Sequence, residues 1–333
     1  MRSMLPLQRR LRIVISGGTG QVGTILARHF QETGHHVTVI SRHSKPAEWN
    51  VLLWNGQDLG PWADAMDGAD VVINLAGHSV NCRYNAANQR EIKNSRTITT
   101  GLVGKAISAA AKPPPLWLNA STATIYRHSF DRAMDDVTGE LGGNETDAPA
   151  KWRFSIDVAK SWEQAFFAAP TPHTRRVALR SAMTMSPDEG GVFDTLLRLV
   201  RFGFGGKAGS GFQYVSWIHD VDFIRAVEFL IAHEELEGAV NVASPCPVIN
   251  SSFMCCLRRA WCTSYIGLPA PTWILPMGAF FLRTETELLL KSRRVIPRRL
   301  TDAGFEFHFP NWRGACTDLV CRWRELHGGE RCS

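Results

Sequence analysis

None of the eight cysteines belongs to a Cys-x-x-Cys pair, and none stands near a histidine at zinc-finger spacing. No metal site is expected from that pattern, and reduced, structural thiols are the reading that remains. Long apolar runs are also absent. The longest, PTWILPMGAFFL, falls short of the roughly 20 residues that span a bilayer. The opening MRSMLPLQRR carries basic residues but neither the apolar stretch nor the cleavage site of a signal peptide. These absences lead to the expectation of a cytoplasmic protein with no membrane partner.

An excess of one charge sign is equally lacking. The net charge is +6 over 333 residues, with Lys and Arg scattered along the chain. Only KSRRVIPRR, near the C-terminus, is dense. Nucleic acid is therefore not expected as a partner, whereas a modest basic excess suits an anionic small molecule. With 44% hydrophobic and 20% charged residues, the chain reads as globular, with one large domain or two closely joined ones. There is no internal repeat and no low-complexity linker, so a second domain should be interleaved with the first. A monomer or homodimer is expected.

What is present is an alternation. Short β-branched runs at 11–15, 36–40, 51–54, 71–75, 116–120, 176–179 and 240–242 read as strands. Between them lie helical patterns at 21–33, 61–67, 86–111, 153–168 and 220–233. Residues 126–150, rich in Gly, Asp and Glu, read as a long loop. After Ser186 the pattern breaks into the glycine-rich loops DEGGVF and GFGGKAGSG, and the C-terminal part is helix-rich with proline punctuation. The rhythm implies an α/β fold: a Rossmann, doubly wound parallel sheet over 10–185, with 216–243 returning to it. Segments 186–215 and 244–333 would form a smaller C-terminal, substrate-side domain.

The first strand runs directly into GGTGQVG, where Gly17, Gly20 and Gly23 are spaced G-x-x-G-x-x-G and open a helix. A dinucleotide pyrophosphate needs such a turn: no side chain where the backbone approaches it, and free N–H groups at the positive end of a helix. Gly17, Gly18, Thr19, Gly20, Gln21, Val22 and Gly23 are therefore candidate cofactor residues. About 20 residues on, an NAD site carries Asp or Glu for the ribose hydroxyls. This chain has Ser41 and Arg42 there, and its first carboxylate is Glu48. A hydroxyl and a guanidinium suit a 2′-phosphate, so NADP(H) is favoured over NAD(H).

GGTGQVG, DVVINLAG (70–77), LNASTATIY (118–126) and VSWIHDVDF (215–223) together resemble the extended short-chain dehydrogenase/reductase superfamily of NAD(P)-dependent epimerases and dehydratases. RYNAANQREIKNSRTITT, NVASPCPVIN and ELLLKSRRVIPRRLTDAGFEFHFP are similar to its atypical epimerase-family subgroup labelled YfcH-like. The resemblance adds Leu75, Ala76 and Gly77 to the cofactor residues. It implies chemistry by a Ser or Thr after the fifth strand and a Tyr-x-x-x-Lys pair on the next helix, where an ammonium makes the phenol a usable base.

Thr122 matches the hydroxyl position, but the pair is missing. The four tyrosines, at 84, 126, 214 and 265, are followed four places on by Asn88, Phe130, Ile218 and Pro269. On the relevant helix Lys160 is present with Ile156 four residues before it; a register anchored on Glu163 puts Ser155 near the tyrosine position. Tyr126, four residues after Thr122 at the end of a sheet strand, is the substitute proton donor to consider, and Lys160 the residue for the nicotinamide ribose. Arg83 and Tyr84 could face an anionic substrate, and Gln213 follows a glycine-rich segment where related epimerases bind the substrate. His219 suits a general base by its titration range, but an ordering role at a strand end accounts for it better. Two functions compete: an NADP(H)-dependent oxidoreductase or epimerase acting on an anionic or nucleotide-linked small molecule, and a non-catalytic NADP(H)-binding sensor or scaffold.

Overall fold

Short apolar, β-branched runs make the sheet, because strands buried on both faces must be apolar at odd and even positions alike. In the computed structural model, which describes residues 9–44, 46–80, 82–145, 149, 152–261, 267–269 and 290–328, seven such runs pair in parallel. They are β1 (Arg12–Ser16), β2 (His36–Ser41), β3 (Asn50–Leu53), β4 (Val71–Asn74), β5 (Leu116–Thr122), β6 (Arg175–Ser181) and β10 (Gly238–Val242), in the order β10-β6-β5-β4-β1-β2-β3. The chain direction across the sheet reverses between β1 and β4. This is the Rossmann arrangement expected from the sequence.

Alternate residues of each strand feed different cores. Ile13, Ile15, Val37, Val39, Leu118 and Leu179 meet α1 (Gln21–Glu32) and α5 (Asp220–Ala232) on one face. Val14, Ile40, Val72, Trp117 and Ala178 meet a 3₁₀ turn (Pro61–Met66), α2 (Ala86–Ala109) and α3 (Arg153–Phe167) on the other. Both layers hold at once, so the carboxyl ends of β1, β4 and β5 stand side by side as one edge.

A third core lies beyond the sheet. The segment expected as glycine-rich loop contains α4 (Val192–Arg201), whose Phe193, Leu197 and Val200 face Phe253, Met254 and Leu257 of α6 (Asn250–Ala260). Trp312, Leu319 and Trp323 of α8 (Trp312–Leu326) complete it, with Trp312 stacked on Phe253 at 4.0 Å. Two small ladders border this core: β7 (Met183–Met185) runs parallel to β9 (Trp217–His219), and β8 (Tyr214–Val215) runs antiparallel to β11 (Val248–Ile249). The short helix α7 (Arg298–Asp302) and Phe305 turn back to the sheet, where Leu300 and Phe305 join the first core.

The loop 126–150 is held at two isolated bridges, Tyr126 with Leu141 and Met134 with Val295. Lys291, Ser292 and Arg293, three residues of the dense basic stretch, are buried beneath it. Lys291 Nζ donates to the Thr124 carbonyl at 2.9 Å, Ser292 Oγ to the Ser129 carbonyl at 2.6 Å, and Arg293 Nε to Thr124 Oγ1 at 3.2 Å.

Candidate cofactor and substrate site

The turn after β1 is pressed onto the end of β4. Gly17 has φ +75°, a left-handed conformation that favours glycine, and a Cβ there would stand 2.7 Å from the Ala76 nitrogen. Its N–H donates to the Ile40 carbonyl at 2.9 Å. Gly23 brings α1 against the same turn, for its Cβ would stand 2.5 Å from Gly18 Cα. At Gly20 the situation is reversed: the nearest atom to a Cβ is the Gly17 carbonyl oxygen at 3.5 Å, so this side is open. α1 begins here with no side-chain cap and no acidic residue in its first turn. Its orphan N–H groups and positive dipole end fit a diphosphate without change to any described side chain. Gln21 Nε2 is buried with no hydrogen-bond partner among the described residues, beside Gly191, while Val22 packs on the sheet core and Thr19 is half-buried.

At the end of β2, Ser41 and Arg42 part ways. Ser41 is buried; its Oγ lies 2.9 Å from Thr19 Oγ1 and accepts the His43 N–H at 3.3 Å. The hydroxyl expected for a 2′-phosphate therefore ties the glycine turn to β2. Arg42 is exposed, with no hydrogen bond or ion pair among the described residues.

Beneath the β4 end lies a polar floor. Asn74 Nδ2 donates to Asn119 Oδ1 at 2.7 Å and to Thr100 Oγ1 at 3.1 Å; its Oδ1 accepts the Ala76 N–H, and Trp162 Nε1 donates to Thr100 Oγ1. Leu75 N donates to the Ser16 carbonyl at 2.8 Å. These bonds hold Leu75 and Ala76 against Gly17 and leave Gly77 exposed.

The expected catalytic residues do not gather. Thr122 ends β5 half-buried, and its Oγ1 accepts the Thr124 N–H at 3.1 Å, which leaves its O–H as a donor. Tyr126 turns inward instead. It is 1% exposed; its hydroxyl donates to Asn241 Oδ1 at 2.8 Å and accepts from Arg180 Nη1 at 3.0 Å. Burial pushes the phenol above its ordinary range, and the Arg180 guanidinium only partly offsets this. Arg180 is itself clamped by Glu163, with both nitrogen–oxygen distances 2.8 Å, and Ser121 Oγ donates to Glu163 at 2.6 Å. Placement on a strand end suggested a proton donor; the 3₁₀ turn Ala123–Ile125 rotates the ring into this network. A buried, doubly engaged phenol is a core group.

On α3, Ile156, four residues before Lys160, is 2% exposed. The Gly142–Gly143 backbone covers it so closely that a Cβ at Gly142 would stand 2.7 Å from Ile156 Cδ1. Lys160, one turn on, is half-buried near Gly143, and no hydrogen bond or ion pair of its ammonium is found among the described residues. Arg83 is exposed, and Tyr84 lies edge-on to Phe154 at 5.1 Å. Gln213 is 2% exposed and its amide donates to the Ala208 carbonyl at 2.9 Å, which commits it to the loop rather than to a ligand. His219 caps α5: Nδ1 accepts the Val221 N–H, Nε2 lies 2.9 Å from Asp318 Oδ2, and the ring stacks on Phe309. Its ordering role is thereby accounted for. Among the described residues no group of three His, Cys, Asp or Glu is placed to hold a metal, and no helix is long and apolar enough to cross a membrane.

Two residues that the sequence reading did not single out border this site. Arg293 reaches Thr124, and Arg96 of α2 lies against Gly77. Arg293 sat in a stretch whose only visible signal was charge, and Arg96 in a helix whose signal was resemblance.

Comparison with known proteins agrees with this geometry. Residues 13–243 match the model of the NAD-dependent epimerase/dehydratase family, and residues 270–319 match a domain of unknown function, DUF1731. The chain is 30% identical to mouse epimerase family protein SDR39U1 over 320 residues, covering 93% of this chain and all of that one. It is 31% identical to the epimerase family protein ML0860 of Mycobacterium leprae, covering 92% and 94%. A crystal structure of human epimerase family protein SDR39U1 (isoform 2) with NADPH superposes with a TM-score of 0.80 at 28% identity, covering 92% of this chain and 98% of that one.

Proposed function

The chain belongs to the NAD-dependent epimerase/dehydratase family, and from that premise we propose that it takes NADP(H) in the crevice between β1 and β4. There it would act as an oxidoreductase or epimerase on an anionic or nucleotide-linked small molecule. The observation that carries the reading is the open, uncapped turn at Gly20 together with an exposed Arg42 at the end of β2 that has no ion pair among the described residues. NADPH in the human relative's structure supports the choice of cofactor. Bound here, the cofactor would supply or accept hydride. The chain's own part is to hold it: α1 at the diphosphate, Arg42 at the 2′-phosphate, Thr122 and Lys160 toward the ribose and the substrate. Segments 186–215 and 244–333 would supply the substrate side, in a monomer or homodimer working in the cytoplasm.

Titration of NADPH and NADH by fluorescence tests the cofactor. NADPH should bind at least about tenfold more tightly, and Arg42→Asp should remove that margin, a loss of about 1.4 kcal/mol or more. Equal affinity of the parent for both nucleotides would sink the preference.

A second reading, a non-catalytic NADP(H) sensor or scaffold, is favoured by Ile156 where a Tyr-x-x-x-Lys pair ending at Lys160 would need its phenol, and by the enclosure of Tyr126. NADPH-soaked crystals separate the two. A side-chain O–H or N–H within hydrogen-bonding reach of the nicotinamide supports the enzyme, and an apolar surround supports the sensor.

A further inference from the structure

Three phenylalanines stand in solvent on one glycine-rich loop. Phe202 is 75% exposed, Phe212 67% and Phe204 58%, and Leu268, bonded to the same loop, is 60% exposed. Single exposed apolar residues need no explanation, but several fixed on one loop mark a contact surface. This loop is fastened along its length. Phe202 N and Phe204 N donate to the Arg198 and Leu199 carbonyls of the last turn of α4, Leu268 N donates to the Gly203 carbonyl, and Gly206 N donates to the Leu268 carbonyl. Ala208 N donates to Asn250 Oδ1 at 2.8 Å and Ser251 N to the Gly211 carbonyl at 3.0 Å, which seats the far side on α6. Gly205 permits the close fit, since a Cβ there would stand 2.6 Å from Val200 Cγ2. A fixed backbone therefore presents the rings.

Charge along the loop is one-sided. Residues 195–219 and 238–261, which include the loop and the helix it is seated on, contain no Asp or Glu. Their cations are Arg198, Arg201, Lys207, Arg258 and Arg259, five charges against a net of +6 for the whole chain. Arg198 turns back to Asp194 and Glu189. Arg201 and Lys207, which bracket Phe202 and Phe204 in the chain, are exposed and form no ion pair among the described residues. Arg201 also lies over the Trp261 and Trp323 rings at 5.3 and 4.7 Å.

We propose that this loop docks the protein on an anionic lipid surface. Phe202, Phe204 and Phe212 enter the boundary between headgroups and acyl chains, and Arg201 and Lys207 meet lipid phosphates. Projecting rings favour this partner, because a bilayer yields around them, whereas single-stranded nucleic acid stacks its bases in a basic groove. The carboxylate-free loop adds no repulsion against an anionic surface. The lack of a spanning run, from which no membrane partner was expected, concerns insertion and not docking. Docking needs no bound cofactor, because the loop is fastened to α4 and α6 rather than to the β1–β4 crevice.

Sedimentation of the full chain with vesicles tests the proposal. Vesicles of phosphatidylcholine and phosphatidylglycerol in equal parts should carry the parent down, and pure phosphatidylcholine should hold it more weakly. Binding to the mixed vesicles should fall about tenfold or more in the Phe202→Ser/Phe204→Ser/Phe212→Ser variant and about fivefold in Lys207→Gln. Both variants should keep the parent's urea midpoint, since the replaced side chains are exposed. Failure of the parent to sediment with the mixed vesicles, or equal sedimentation of parent and triple variant, overturns the proposal. So does a lowered urea midpoint in the triple variant, which would mean that the chain itself covers the rings. Without vesicle binding, a concentration-dependent dimer that the triple variant loses would assign the patch to a second copy, and oligonucleotide binding that it loses would assign it to nucleic acid. Either result overturns the lipid assignment.

Discussion

Position 156 concentrates the question of chemistry in one side chain. A phenol there would have to displace the Gly142–Gly143 backbone, which already closes on Ile156 Cδ1. Ile156→Tyr should therefore cost about 1–3 kcal/mol through overpacking, seen as a lower urea midpoint, and should not create a working Tyr-Lys pair. Unchanged stability together with new NADPH turnover would show that the loop yields. Tyr126 has the opposite character, being present but committed. Tyr126→Phe removes a donor from Asn241 and an acceptor from Arg180, so a loss of about 1–3 kcal/mol is expected, with NADPH affinity within about twofold of the parent. Weakened cofactor binding at intact stability would instead return Tyr126 to the site. The sequence shows that Tyr126 follows Thr122 by four residues, but spacing does not say which way a ring points after a 3₁₀ turn.

Elements read more faithfully than side chains, for reasons of periodicity. The strand runs were visible because buried parallel strands are apolar throughout, and they fall within two residues of the observed β1 to β6 and β10. α4 escaped notice because glycine-rich stretches flank it, although Phe193, Leu197 and Val200 keep helical spacing and point into one core. The glycine turn was legible as a tight connection from strand to helix, since it falls between β1 and α1. That makes α1 a sharp place for a test. A methyl group at residue 23 meets backbone, 2.5 Å from Gly18 Cα, rather than a side chain that can swing away. Gly23→Ala should push α1 off the turn, weaken NADPH by about tenfold or more, and cost about 1–3 kcal/mol. Full retention of NADPH affinity would mean that the turn does not carry the diphosphate.

At the scale of the whole molecule, two C-terminal connections hold the third core to the sheet. The stretch around Lys291–Arg299 joins the 124–134 loop, the Ser216 hydroxyl and the Glu237 and Ala239 carbonyls. Read as sequence it was merely basic, because charge density does not reveal that Lys291 and Arg293 are enclosed. The second connection is ionic: Asp318 meets His219, and Arg322 clamps Asp220 with two 2.8 Å contacts. Burial works to raise the Asp318 carboxyl, but His219 and Arg322 outweigh it and hold the group below its ordinary range. Glu145 is shifted the same way: burial is overcome by backbone N–H groups, including those of Gly143 and His128. A carboxylate favoured by the fold contributes stability that is fully present above its unfolded value, about 4, and is lost as pH falls through its lower folded value. The contributions of Asp318 and Glu145 should accordingly be level down to about pH 5 and decline below about pH 4. Asp318→Asn should cost up to about 1 kcal/mol at neutral pH, given its partial exposure, and should make the acid slope shallower. Urea midpoints followed by tryptophan fluorescence measure this directly, because Trp217, Trp312 and Trp323 all lie in the third core. An acid slope as steep in Asp318→Asn as in the parent would assign the sensitivity to Glu145 and the loop it holds, rather than to the joint between α5 and α8.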